Sequence, residues 1–318
     1  MVGIGLLFPG QGAQKVGMGA DLWQDFQAAR AAFETACRAT GMDLCALCFE
    51  GPIEELSRSD VAQPAILTAS VAALRALEEE ADQLPVRAAG GLSLGEYTAL
   101  VAAGAIAFEE AVGLVQRRGR YMQEACEATP GAMYSVIGLA DEVVEEACRR
   151  ASVETEPGVW PANYNSPGQV VISGGEEAAA VAAGLCTEAG ARKVIELKVA
   201  GAFHTPLMQP AAERLAEDLA AVDFASPAFA VVSNVTGEPH GGPREIRELL
   251  ARQVTEPVRW VACARRLAAT GLRSFVEVGP GRVLKGLLRR IDDSCTCDCV
   301  GDTSEARAYV RELSTDKE

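Results

Sequence analysis

The sequence predicts an α/β fold, with a parallel sheet wrapped by helices and a small second unit inserted into it. Three observations carry this reading. Short apolar runs alternate with amphipathic stretches through most of the chain, as parallel strands and their crossover helices require. The middle of the chain breaks that alternation with the order β-α-β-β-α-β, the ferredoxin-like plan. The 318 residues, 49% hydrophobic and 23% charged, suffice for one large domain or two unequal ones around a sizeable core.

The elements follow in order. Val2 to Phe8 reads as a buried strand, and a Gly-rich loop runs from Pro9 to Gly19. Helical patterns cover Leu22–Thr40, Asp60–Glu80 and Leu94–Gly104, and a strand at Val86–Gly90 leads straight into the last of them. Met133–Leu139 is a strand, Asp141–Ala151 a helix, and Val159–Tyr164 and Gln169–Ser173 two strands joined by Asn165-Ser166-Pro167-Gly168. A helix at Glu176–Gly190 and a strand at Lys193–Val199 complete the inserted unit. Hinges near Thr129–Gly131 and Val199–Gly201 divide the chain into a discontinuous large domain, 1–130 with 200–318, and a small one, 131–199. Strand-helix alternation then resumes with Phe229–Asn234, a helix at Arg244–Val254, a strand at Ser274–Val278 and a last helix after Gly281. The tail from Asp292 is polar and reads as mobile, and the chain holds no internal repeat.

Charge narrows the class of partner. With 29 Lys+Arg against 44 Asp+Glu, the formal charge is −15 and the pI near 4.7. That balance argues against nucleic acid and anionic membrane as partners. The longest apolar run, Ala99 to Phe108, is about half the ~20 residues that a membrane span needs. The N-terminus lacks a basic region and its apolar run ends at Pro9-Gly10, so no signal peptide is expected and the cytoplasm is the default compartment. The 10 cysteines are then free thiols. Cys295, Cys297 and Cys299 alternate in an acidic stretch, which fits a strand with one thiol-bearing face better than a zinc site; no metal is expected.

Gly91-Leu92-Ser93-Leu94-Gly95 fits Gly-x-Ser-x-Gly between a strand and a helix. A sharp turn there lifts the serine hydroxyl off the sheet, and the glycines remove side chains that would collide. The helix N-terminus offers free N–H groups to a developing oxyanion. The bland alternative is a structural turn with a capping serine. A nucleophilic hydroxyl needs a base, and the chain has two histidines. His240 lies in a turn-rich loop, Glu238 to Pro243, and reads as solvent-exposed; His204, between a strand and a helix, is the candidate base.

Six separated stretches then resemble motifs of the malonyl-CoA:acyl carrier protein transacylases, in that family's order. They are Phe8 to Gln14, Gly91 to Leu100, Gln116 to Gln123, Asn163 to Val171, His204 to Met208, and Glu277 to Gly281. The resemblance implies an α/β-hydrolase-like core with a ferredoxin-like insertion. It implies Ser93 as the acylated residue, His204 as the base, and the N–H groups of Gln11 and Leu94 as oxyanion hole. It also implies Arg118 as the cation that grips the malonyl carboxylate, and Gln253 as the source of the carbonyl that orients His204. Leu92 departs from the histidine that many members carry before the serine.

Malonyl-CoA and acyl carrier protein are the implied substrates, with no cofactor, and family precedent is a monomer. Ala202-Phe203 before His204 resembles the malonyl-selective form of related polyketide acyltransferases. Lys285, Arg289 and Arg290, with Arg192, Lys193 and Lys198, are candidate contacts for the acidic carrier. Three alternatives keep much of the same sequence evidence. They are a serine esterase or thioesterase using the same pair, an acyltransferase serving a polyketide synthase in trans, and an inactive carrier-binding module.

Overall fold

The computed structural model describes residues 3–81, 83–199 and 201–315. Val2 of the first expected strand and Ala200 of the second expected hinge fall outside them. Strand β1 (Ile4–Phe8) is buried along its whole length, with Ile4, Leu6 and Phe8 in one core and Leu7 in another. Side chains of a strand alternate between faces, so β1 must be covered on both sides. After it come α1 (Ala20–Asp25), α2 (Gln27–Thr40), α3 (Leu44–Phe49), α4 (Ile53–Leu56) and α5 (Ser59–Glu80). The single helix expected over 22–40 breaks at Phe26, whose extended backbone (φ −122°, ψ 127°) drops its ring into the core. Helix α5 is apolar on nearly every side and correspondingly buried on nearly every side.

The elbow follows, β2 (Val86–Gly91) running into α6 (Leu94–Ala102), and then the long helix α7 (Phe108–Ala128). Next come β3 (Gly131–Ile137), α8 (Asp141–Glu154), β4 (Val159–Ser166), β5 (Gln169–Gly175), α9 (Glu176–Glu188) and β6 (Lys193–Glu196). They form an antiparallel sheet of order β4-β5-β3-β6, the ferredoxin-like order, covered by α8 and α9 through Val136, Ile172, Val144 and Ala179. The chain goes on through α10 (Gln209–Ala221), β7 (Ala230–Val231), α11 (Pro243–Arg252), α12 (Trp260–Ala269), β8 (Ser274–Val278), α13 (Val283–Ile291), β9 (Thr296–Val300) and α14 (Thr303–Thr315). Strands β7-β2-β1-β8-β9 make an all-parallel sheet in that order.

Two expectations need correcting here. The tail from Asp292 is ordered as far as Thr315: β9 pairs with β8, and α14 buries Ala306, Tyr309 and Val310 in the main core. Its apolar residues are too sparse to show as a run, but their spacing matches one helix face. The expected strand at 229–234 shrinks to two residues, because Ser233 gives its N–H to the Glu238 carbonyl and Asn234 gives its own to Glu96 on α6. Cys297 and Cys299 do lie two apart on a strand. Glu277, buried on β8, accepts the N–H groups of Leu284 and Lys285 and so fixes the start of α13.

Candidate active site

Two loops at the C-terminal ends of β1 and β2 meet to form the site. A Cβ at Gly10 would strike the carbonyl of Leu92, and one at Gly91 would strike the backbone of Gly95. A Cβ at Gly95 would in turn strike the carbonyl of Phe8. The three glycines therefore let the turn after β2 nest against the loop after β1, which brings Gln11 beside the elbow. Among the described residues, two non-glycine residues have positive φ: Ser93 at 52° and His204 at 59°. Such conformations cost about 1–3 kcal/mol each and persist where the surroundings enforce them, often at functional sites.

The enforcement at Ser93 is visible. Asn234 takes the Ser93 N–H at 2.6 Å and gives its own amide to the Gly91 carbonyl at 2.8 Å, clamping both sides of the turn. Ser93 Oγ accepts from Arg118 Nη2 at 3.1 Å, and among the described residues it has no hydrogen bond with His204. His204 Nδ1 bonds the Gln253 carbonyl at 2.7 Å, which puts the proton on Nδ1 and leaves Nε2 as the acceptor. Burial, helped by the charge of Arg118, pushes the His204 pKa down to about 4, so its ring is neutral at pH 7.

Arg118 comes from α7 and is 1% exposed. Gly119 beside it lets α7 pack backbone-close to Ser59 at the start of α5. The guanidinium donates to Gln63 Oε1 at 2.6 Å and to Gln253 Oε1 at 3.0 Å, and lies 5.4 Å over the Tyr97 ring. Its Nε–H, also buried, has no partner among the described residues. A buried donor without a partner favours a ligand that supplies an acceptor. Burial lowers the Arg118 pKa from its ordinary value, with Tyr97 and then Glu96 opposing.

Ser93, His204, Arg118, Gln11 and Leu94 line one cavity of about 170 Å³, with Leu92, Asn163, Asn165 and Phe203. The backbone N–H groups of Gln11 and Leu94 are unpaired among the described residues. A larger groove of about 760 Å³ beside α2 and α5 is lined by Ala28, Arg75, Glu79 and Phe108, without a nucleophile and base. Chemistry rather than volume selects the smaller cavity. The structure thus gathers five of the six residues singled out, and Gln253 stands immediately behind them. Leu92 packs its side chain on the second core, beside the cavity mouth.

Four further residues were not legible in advance. Asn234 and Gln63 carry no local signal. Glu96 had one, a lone acid in the apolar run of α6; it is fully buried and bonded to Gln253 and the Asn234 N–H. His240, expected in solvent, is buried with Nε2 at 2.7 Å from Glu96 Oε1, because its loop folds back along the edge of β7. Among the described residues, one Cys/His/acid group has ligand atoms close enough for a metal: Cys37 on α2, Asp43 just before α3 and Cys45 on α3, far from the C-terminal thiols in sequence.

The comparisons agree with this geometry. The acyl transferase domain family matches residues 6–308. The malonyl CoA-acyl carrier protein transacylase of Escherichia coli (strain K12) is 43% identical over 98% of this chain and 99% of its own. Its Bacillus subtilis (strain 168) counterpart is 39% identical over 99% and 98%. The acyl carrier protein S-malonyltransferase of Vibrio cholerae superposes with TM-score 0.92 at 42% identity, over 96% of this chain and 99% of that one. A malonyl-transacylase solved in complex with its type II PKS acyl-carrier protein gives 0.92 at 41%, over 98% and 99%. With a strained strand-to-helix turn at Ser93, a buried histidine and a buried arginine in one cavity, and relatives matched end to end, the chain belongs to the acyl transferase family, among the malonyl CoA-acyl carrier protein transacylases.

Proposed function

We propose that this protein transfers malonyl from malonyl-CoA to the phosphopantetheine thiol of an acyl carrier protein, through a malonyl-Ser93 intermediate, and so supplies fatty-acid elongation. The observation that carries it is the placing of Ser93, neutral His204 and buried Arg118 on one cavity. His204 Nε2 takes the Ser93 proton as Oγ attacks the thioester carbonyl. The oxyanion rests on the N–H groups of Gln11 and Leu94, where each such donor is worth ~10²–10³ in rate. The C–S bond then breaks and His204 returns the proton to the coenzyme A sulfur. The carrier thiol reverses these steps, losing its proton to His204 as it attacks malonyl-Ser93.

Arg118 explains the choice of acyl group. Its planar fork meets a carboxylate with charge-assisted bonds, and acetyl leaves that donor set unused. The route needs no cofactor beyond its two substrates. We place it in the cytoplasm. Among the described residues no helix is long and apolar enough to cross a membrane. Lys285 and Arg289 stand exposed on α13, and Arg192, Lys193 and Lys198 in and around β6, as cations for an acidic carrier.

Intact-mass measurement after malonyl-CoA tests the reading. One malonyl group should add to the native protein and none to Ser93→Ala. Without carrier, coenzyme A release should stall near one equivalent; continuous release would instead mark a hydrolase. Arg118→Ala should lose malonyl transfer by ~10²-fold or more while tolerating acetyl-CoA better, and unaffected malonyl turnover would remove Arg118 from the site.

A further inference from the structure

Behind Arg118 a buried polar chain runs away from the cavity. Arg118 Nη2 donates to Gln253 Oε1 at 3.0 Å, and the other end of that amide, Nε2, donates to Glu96 Oε2 at 2.6 Å. Glu96 Oε2 also accepts the Asn234 N–H at 2.9 Å, and Glu96 Oε1 meets His240 Nε2 at 2.7 Å. Arg118, Gln253, Glu96 and His240 are 1%, 0%, 0% and 7% exposed, so bulk water screens them little. Among the described residues no carboxylate touches Arg118. Among the described residues two acids are fully buried, Glu96 here and Glu277 on β8, and Glu277 is taken up at the start of α13.

A buried cation without a counter-charge is costly. An acid placed directly on Arg118 would remove that cost but would fill the donors that a substrate needs. An amide between them answers both demands, since its oxygen faces the cation and its N–H faces the anion. His240 completes the arrangement. With the hydrogen on Nε2 it donates to Glu96, and its Nδ1, which has no partner, is a bare acceptor.

We propose that Glu96 is the counter-charge of Arg118, held one amide away by Gln253 and fixed by His240, so that the guanidinium is neutralised while its remaining donors stay free for a substrate carboxylate. Glu96, Gln253 and His240 act here as positioning residues. The inference rests on the reading of Arg118 as the carboxylate-binding residue. It has a second consequence, because Glu96 repels the malonyl carboxylate across the same amide. Binding is weakened equally in the ground and transition states, which raises KM without slowing the chemical step.

Glu96→Gln separates charge from shape. The new amide oxygen can keep the bonds from Asn234 and Gln253, and its NH2 can donate to the other tautomer of His240. We expect KM for malonyl-CoA to fall about tenfold, from the lost repulsion, with KM for acetyl-CoA unchanged. The melting temperature of the empty protein should fall by about 5 °C, and Arg118→Met should lower it too, by leaving Glu96 unpaired. The double variant, with neither charge, should lose less than the sum of the two single losses. Additive losses, or a malonyl KM that stays level or rises in step with the acetyl KM, overturn the proposal. If Glu96→Gln alone does not fold, a soluble double variant supports the pairing and an insoluble one sinks it. The reading of Arg118 is judged separately, by whether Arg118→Met alone loses the preference for malonyl over acetyl.

Discussion

The protein has two histidines, both buried, and they differ in the opposite way from what a triad would suggest. His240 has the carboxylate partner, Glu96, at 2.7 Å, whereas His204 has the backbone carbonyl of Gln253 at 2.7 Å. Yet His204 lines the cavity with Ser93, and His240 does not. A base that must take a proton and hand it on needs a free acceptor nitrogen facing the reacting atoms, and only then a partner for the other nitrogen. His204 meets both conditions with a neutral partner. His240 spends its one donor on Glu96 and is sealed from the cavity. Access ranks above the strength of the partner.

The sharpest way to break the comparison is to delete each ring. His204→Ala should lower kcat for malonyl transfer by ~10³-fold, within the range for a removed general base, with little change in KM. His240→Leu should lower it by about tenfold or less while the melting temperature falls, since Glu96 loses a donor in a buried place. Steady-state kinetics on both variants decides it. Equal losses of kcat would erase the distinction.

A smaller effect lies in the pH profile. A free-enzyme base with a pKa of about 4 stays neutral well below the ordinary histidine range. The acid limb of kcat/KM should therefore fall near pH 4, not near 6.5. The stability linkage has the same sign. Between the unfolded value and about 4 the unfolded chain binds a proton that the native ring refuses. The contribution of His204 is thus fully present above the unfolded pKa and is lost as pH falls through that window. Replacing Arg118 by methionine removes the lesser of the two depressing influences, so the limb measured with acetyl-CoA should move up, short of the unperturbed value. An acid limb at 6.5 in the native enzyme would place the base in water.

Smaller still is the clamp under Ser93. Asn234→Ala removes bonds to the Ser93 N–H and the Gly91 carbonyl, and should destabilise by about 1–3 kcal/mol. Chemical denaturation checks it, and an unchanged midpoint would mean that the glycines alone hold the turn.

Ser93 and His204 were legible because glycines mark a strand-to-helix turn and because bases are scarce in this chain. The inserted unit was legible because each of its strands and helices is a local pattern. Glu96, Gln63, Asn234 and His240 were not, since a buried polar network joins segments 55 to 144 residues apart and leaves no periodicity in any of them. Helix α14 escaped for a different reason: few of its residues are apolar, and a sequence that polar looks the same whether it lies on a core or in water. The helices α7, α10 and α12 have mixed faces too, and their existence was obscured by the charged residues between their apolar ones.

The place of β1 has a consequence for how the chain is made. It leaves the ribosome before the other described strands, yet it lies at the middle of the parallel sheet, between β2 and β8. Its pairing of Ile4 with Ser274 waits until Ser274 has itself been synthesised. At about 5–20 residues per second that wait is on the order of 10–50 s. During it one edge of an entirely apolar strand is without its neighbour, which makes the nascent chain, more than the finished protein, the species most in need of a chaperone.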